Sequence, residues 1–399
     1  MKLQLGLFVL LVGFGLGLGF LIRDRLSQAT HAQLVMTGNS AELPFEDYGG
    51  HLYLQGKLNG TSTKDLILDS GAADFFVSES QAKALKLTPQ SAKISNVSWG
   101  LGALTLQDRN SAVLSKTEGE GLEQYFGRRI SGIVGYELFE QLVVEVDFQH
   151  RVLRFHRPTT YQYSGPGHRI PLLIEGDRPY INATITPYGY PARASKLMVD
   201  LGSNAALSLT AGCGFEQKLI AAAPRTLRRN LATIKGSNEI VLGRVQTVQL
   251  GTIQIQQPTA IFGKTQATEN CDRLNGKIGY QILRQFKVIL DYPHRQLILE
   301  TPPAAQPLTY DYDLSGLWLE ASGPQLNHYK VGAVTKNTPA QRAGVLIGDE
   351  IIAVNNRAVS GLTLVQIRQT LSQSGQSVTL RLTRKTKPIA VRLSLNPLI

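Results

Sequence analysis

From residue 46 onward the chain is built of short apolar runs separated by polar, glycine-bearing turns. Leu52, Leu54 and Leu58 sit among polar residues at strand-like spacing, and Leu66-Ile67-Leu68 forms a compact apolar run that stops at Asp69. Ser80 to Leu87 predicts a short helix. Ile94 to Leu106 places Trp99-Gly100-Leu101-Gly102 between two β-prone segments, the make-up of a mobile hairpin tip. The same plan then returns. Gly132 to Leu153 aligns with Gly276 to Leu297 at a constant offset of 144 residues, with identities that include Gly135/Gly279, Tyr136/Tyr280, Asp147/Asp291 and His150/His294. A repeat of this kind marks a duplicated domain, and the pattern predicts a mainly β chain.

The ends and joints of these units are marked by composition. Leu3 to Ile22 is apolar except for Gln4 and is flanked by Lys2 and by Arg23-Asp24-Arg25. At a rise of ~1.5 Å per residue it is long enough for a bilayer, so residues 1–32 are expected to be a signal peptide or a membrane anchor. The expected location is exported and extracytoplasmic, either periplasmic or membrane-anchored with the folded part outside the cytoplasm. Residues 33–45 are expected to be a polar connector. Two units then follow over 46–158 and 168–302, separated by the Tyr-, Ser-, Pro- and Gly-rich Pro158 to Gly167. Pro302-Pro303-Ala304-Ala305-Gln306-Pro307 is a stiff linker to a third domain over 308–397.

The duplication also changes the meaning of Asp69. An ionised carboxylate at the end of a buried strand costs several kcal/mol unless something compensates it. Asp-Ser-Gly alone is an ordinary turn, but Leu197-Met198-Val199-Asp200-Leu201-Gly202-Ser203 repeats apolar run, Asp, one residue and Gly. Each unit also carries a later apolar-Gly element, Ile133-Val134-Gly135 and, in weaker form, Lys277-Ile278-Gly279.

Residues 46 to 302 resemble the aspartic proteases of the pepsin and retropepsin clan. The resemblance implies two duplicated acid-protease β-barrel-like lobes forming a cleft, with Asp69 and Asp200 as the catalytic pair. It implies supporting roles for Ser70, Gly71, Gly202 and Ser203, with Ser70 making a buried hydroxyl contact across the pair and Ser203 able to reach the Asp200 carboxylate. It makes Trp99, Gly100 and Gly102 the flap that closes over substrate. Two like charges ~3 Å apart cannot both ionise, so the pair shares a proton; one carboxylate then activates a water while its protonated partner donates to the scissile carbonyl. Activity is expected at acidic to mildly acidic pH. The chain departs from the family at Leu201, where a Thr or Ser is usual, and in lacking the flap Tyr of the pepsin branch.

Beyond the linker, Val331-Gly332-Ala333-Val334, Asn337-Thr338-Pro339-Ala340, Gly348-Asp349-Glu350-Ile351-Ile352 and Val354-Asn355 resemble an α+β PDZ domain of the bacterial type. Gly316, Leu317, Trp318 and Leu319 match that family's carboxylate-binding loop, and Thr363 with Gln366 reads as a capping box opening the helix that walls the groove. Polypeptide substrates at the cleft, C-terminal peptides at the PDZ groove and a membrane at the amino terminus are the implied partners. A binding-only cleft and a PDZ scaffold are the competing readings.

Charge adds little. With 41 Lys and Arg against 30 Asp and Glu the formal charge is +11, but the basic residues form short groups without interleaved aromatics, so no nucleic-acid partner is inferred. The seven His show no metal-ligand spacing, and neither metal nor cofactor is implied. Cys213 and Cys271 leave a disulfide and two free thiols equally open.

Overall fold

The computed structural model describes residues 33–399 except 90–91, 213, 234–235, 265–273 and 303–309. The leader, both cysteines and most of the Pro-rich linker lie outside the described residues. Among the described residues no helix is long and apolar enough to cross a membrane. The chain is mainly β and forms sheets of thirteen, ten and six strands.

The two larger sheets share a local plan. In the first, Thr61–Leu68 runs antiparallel to His51–Leu58 and parallel to Gly132–Val134, which is in turn antiparallel to Phe76–Ser78. In the second, Arg193–Val199 runs antiparallel to Pro179–Thr186 and parallel to Leu274–Ile278, which is antiparallel to Leu207–Ala211. Phe76–Ser78 and Leu207–Ala211 each take a further parallel partner, Leu104–Leu114 and Thr259–Lys264. Matching apolar runs therefore end at Asp69 and Asp200 in matching frames.

The halves are joined by their closing strands. Val143–Asp147 pairs antiparallel with Lys287–Asp291, with Glu145 opposite Ile289, Val144 opposite Leu290 and Val146 opposite Val288. The 144-residue offset carries residue 145 onto 289 and exchanges the flanking pairs, so the pairing maps onto itself when the halves are swapped. A local pseudo-twofold axis passes through this contact. All five residues of Val143–Asp147 are buried, which explains why a largely continuous apolar run, not an alternating one, encodes the strand. One apolar core runs through both halves.

Residues 33–45, expected as a connector, are instead part of the sheet. Gln33–Met36 pairs with Leu104–Leu114, and Ser40–Tyr48 lies between Val152–His156 and His51–Leu58. Ala41, Leu43 and Phe45 are buried at alternate positions. A strand with one wet face needs no more apolar residues than these, and its backbone hydrogen bonds leave no mark in composition.

The expected flap is also corrected. Trp99 lies on Lys93–Leu101, which pairs with Leu104–Leu114, but it is fully buried, edge-on to Phe75 at 4.8 Å, and its indole N–H donates to Ser111 Oγ at 3.0 Å. Gly100 pairs with Lys57, and a Cβ on Gly102 at the turn would lie 3.2 Å from the Glu42 carbonyl. The tip thus rests on the Ser40–Tyr48 strand, and Trp99 is a core residue. Ser111 satisfies the indole N–H while the ring fills space beside Gly132, where a Cβ would meet it at 2.7 Å.

The third domain has its own core around Leu319, Val331, Ile351, Ile367 and Leu380. Its sheet runs in the order Leu317–Ser322, His328–Val334, Glu350–Val354, Ser377–Arg384, Lys387–Ser394. Helix Leu364–Leu371 opens with a complete capping box, Thr363 N–H to Gln366 Oε1 at 2.9 Å and Gln366 N–H to Thr363 Oγ1 at 3.2 Å.

Trp99→Ala is expected to destabilise the protein by about 3–5 kcal/mol, as for a buried Trp emptied into a cavity. The shift of the denaturant midpoint at constant slope measures it. A midpoint shift that, multiplied by the slope, amounts to less than about 1 kcal/mol would return Trp99 to the surface.

Candidate active site

Two matched turns form the site. The Asp69 N–H donates to the Val134 carbonyl at 3.0 Å, and the Asp200 N–H donates to the Ile278 carbonyl at 2.9 Å. One oxygen of each carboxyl accepts from the glycine two residues on, Gly71 N–H to Asp69 Oδ1 at 2.8 Å and Gly202 N–H to Asp200 Oδ1 at 3.0 Å. Ala72 and Ser203 close the turns onto the carbonyls of the two acids, each at 3.3 Å. Behind the turns stand Gly135 and Gly279. A Cβ on Gly135 would lie 2.2 Å from the Asp74 carbonyl oxygen, and one on Gly279 would lie 2.6 Å from the carbonyls of Ser203 and Ala205. Only glycine lets that second element approach so closely.

The turns face each other. A Cβ on Gly71 would be 2.8 Å from Asp200 Oδ1, and one on Gly202 would be 2.3 Å from Asp69 Cγ. Asp69 and Asp200, 2% and 1% exposed, are thus within hydrogen-bonding reach of one another. Burial, followed by the charge of Asp200, pushes the Asp69 carboxyl up to about 8, against the pull of the Gly71 N–H and of Lys277.

The site is not symmetric. Ser70 Oγ crosses to the other turn, donating to the Val199 carbonyl at 2.7 Å and accepting from the Leu201 N–H at 2.9 Å. Leu201 is fully buried and has no hydroxyl to return the contact. Ser203, expected near the Asp200 carboxylate, contributes backbone instead: its N–H holds the Asp200 carbonyl and its carbonyl accepts from Tyr280 N–H at 2.7 Å. Asp200 Oδ2 is held by Lys277 Nζ at 2.8 Å, with Lys277 7% exposed. Lys277 stands where the first half has the fully buried Ile133. A charged residue at the repeat position of an apolar one was the signal available in the sequence.

Around the pair, Arg178 Nε donates to the Gly71 carbonyl at 3.1 Å, and Tyr292 stacks on Phe139 with its hydroxyl toward the Ser70 carbonyl. His51, on the strand beside that of Asp69, is buried against Phe126; burial, then Arg368, lowers it to about 3 against the opposing pull of the Gly202 backbone, so it is neutral. His150 and His294 each bind the carboxylate three residues earlier, Asp147 and Asp291, at 2.8 Å. They brace equivalent turns.

The loop at Gly316 is partly self-occupied. Asp313 Oδ1 accepts from the Gly316 N–H at 2.6 Å and the Leu317 N–H at 3.1 Å. Trp318 stacks on Tyr125 of helix Lys116–Phe126 at 4.8 Å, and Arg368 donates to the Leu319 carbonyl at 2.8 Å. A carboxylate entering this loop therefore meets one already there. A cavity of about 440 Å³ adjoins it, lined by Trp318, Leu319 and Arg368 on one side and by Ser203, Asn204 and Tyr280 on the other. Asn204 and Tyr280 flank the Asp200 turn, so groove and turn open on one space.

The elevated Asp69 carboxyl has a consequence for stability. Between its ordinary value near ~3.9 and about 8 the unfolded chain has released a proton that the folded chain keeps, so stability falls as pH rises through that window. Asp69→Asn removes this titration. The loss of Tm between those two pH values is expected to be smaller in the Asn variant, which should be the more stable protein at the upper end; identical Tm profiles would place the proton elsewhere.

Residues 330–384 match the family model of the PDZ domain, while no curated protein sequence matches the chain. The third domain, with its own core and its groove against the larger sheets, is a PDZ domain and gives the chain a peptide-binding or regulatory module.

Proposed function

We propose that the chain is an exported aspartic endopeptidase whose PDZ domain brings polypeptides to the cleft by their C-termini. The carrying observation is the convergence of two Asp-x-Gly turns, each carboxyl facing the other's glycine, on opposite sides of a pseudo-twofold contact. A water between the carboxyls would lose a proton to the ionised one as it attacks the peptide carbonyl, while the neutral one protonates the carbonyl oxygen; on collapse of the resulting diol the first carboxyl passes its proton to the departing nitrogen and the second regains one from a diol hydroxyl. No covalent intermediate arises. Export rests on the apolar run Leu3 to Ile22.

The singly protonated state is the working one, and its upper limit is the loss of the Asp69 proton. Activity is therefore expected to persist to about pH 8 and to fall above it, beyond the acidic range first expected. A binding-only cleft is favoured by one observation, the missing hydroxyl at Leu201. The shared cavity supports PDZ recruitment, since a tail held at Trp318 would leave the preceding chain beside Asn204 and Tyr280.

Asp69→Asn should abolish cleavage of a generic unfolded substrate by at least about a thousandfold with the fold intact, an Asn being unable to cycle the proton. Retained cleavage would move the chemistry elsewhere, and no cleavage by the wild type at any pH would leave the binding-only reading. For the PDZ groove, Asp313→Ala frees the Gly316 and Leu317 N–H groups and should tighten binding of peptides with a free C-terminus about tenfold, as read by fluorescence anisotropy. Equal binding of the amidated peptide would rule out carboxylate recognition at this loop.

A further inference from the structure

Lys277 is the residue that the duplication does not explain. Its counterpart Ile133 packs among Tyr53, Ile67, Phe76 and Ile133's other apolar neighbours in a small core, whereas Lys277 sends an ammonium to a carboxylate with 9% and 1% of the two side chains exposed. A buried ammonium is sustained only by an anion. Among the described residues Asp200 accepts from the Gly202 N–H and Lys277 Nζ, whereas Asp69, apart from its contact with Asp200, accepts from the Gly71 N–H. Lys277 also takes up the oxygen for which the second half, with Leu201 in place of a hydroxyl, shows no other side-chain donor among the described residues.

Resting on the endopeptidase reading, we infer that Lys277 is a positioning residue that fixes the roles of the two carboxyls: Asp200 is the base that takes the proton from water, and Asp69 is the acid that protonates the scissile carbonyl oxygen. In the forward step the water oxygen bonds to the carbonyl carbon, its proton passes to Asp200, and the Asp69 proton passes to the carbonyl oxygen. When the diol collapses, Asp200 gives its proton to the leaving nitrogen and Asp69 recovers one from the diol hydroxyl.

Among the described residues no other ammonium or guanidinium bonds to either carboxyl. On the Asp69 side stand the Tyr292 phenol, held protonated by burial and by Asp69, the neutral His51, and Arg178, which is spent on the Gly71 carbonyl. On the Asp200 side the strand partners of Lys277 are Met198 and Ser208, neither of them charged. The cation beside Asp200 thus opposes the burial that raises Asp69.

The test is Lys277→Met in the full chain, with Lys277→Gln as a second variant should Met not fold. Aspartate carboxyls are followed by carbon-13 NMR titration, with Asp69→Asn assigning the resonance, and kcat/KM for an unfolded substrate is measured across pH. In the wild type one buried carboxyl should titrate near 8. In the variants that titration and both limbs of the pH profile should move up by at least about one unit, with KM little changed, because removing a cation makes each carboxyl harder to ionise. Titration and limbs that both stay put in a folded variant would overturn the inference and leave Lys277 a space-filling residue. A titration that moves in a protein that cleaves nothing would overturn the peptidase reading alone.

Discussion

Two carboxyl groups forced together away from water repel unless one keeps its proton or a cation stands beside them, and both conditions are met here. Asp69 holds its proton far above the ordinary carboxylate range, and Asp200 lies against Lys277. Everything else at the centre of the two larger sheets serves that arrangement. The parallel partners Gly132–Val134 and Leu274–Ile278 supply the carbonyls that fix the acid backbones, and glycines at 71, 202, 135 and 279 leave room where any Cβ would strike a carboxyl or a carbonyl. The closing-strand pairing sets the two turns opposite one another.

The two halves keep the frame and differ in what fills it. At the position after the acid, Ser70 reaches across to the Val199 carbonyl and Leu201 N–H, while Leu201 only fills the core. At the position before the second glycine element, Ile133 fills the core while Lys277 reaches the carboxyl. Each half therefore contributes one polar anchor, from a different place in the repeat. A duplicated scaffold tolerates this because the backbone hydrogen bonds that hold the turns do not depend on either side chain.

The PDZ domain is attached through the side of its groove. Tyr125 on Trp318, Arg368 on the Tyr125 ring, and the Arg129 guanidinium on the Pro324 carbonyl tie the PDZ domain to the first half. Arg229 approaches Asp313 from the second half at 3.7 Å. With Asp313 seated on the loop's own N–H groups, the groove is satisfied internally and open to the cavity near the Asp200 turn. A ligand carboxylate at the loop would displace Asp313, whose carboxylate also faces Arg229 of the second half, so binding there and one contact between the domains share a residue.

The sequence by itself determined the repeat, the two acid turns and the PDZ domain, because each is carried by residue identities at fixed spacing: a buried strand demands an unbroken apolar run, a close approach demands glycine, and a PDZ core has its own sequence of apolar positions and turns. Ser70 stands out only through the resemblance to the aspartic proteases, and the structure shows its hydroxyl reaching the other turn. The tertiary structure alone decided the rest. Residues 33–45 read as a connector because a half-exposed strand spends few apolar residues and the hydrogen bonds that place it in the sheet are invisible in composition. Trp99 read as a flap tip because Gly100 and Gly102, just after it, mark a turn but do not say which face of the hairpin meets the core. Lys277, Asp313 and Tyr125 acquire their roles from residues 77 positions away, at a neighbouring turn and in another domain, respectively. Distance along the chain carries no information about such contacts; only the packing that brings the carboxyl to the ammonium, or the tyrosine to the tryptophan, creates them.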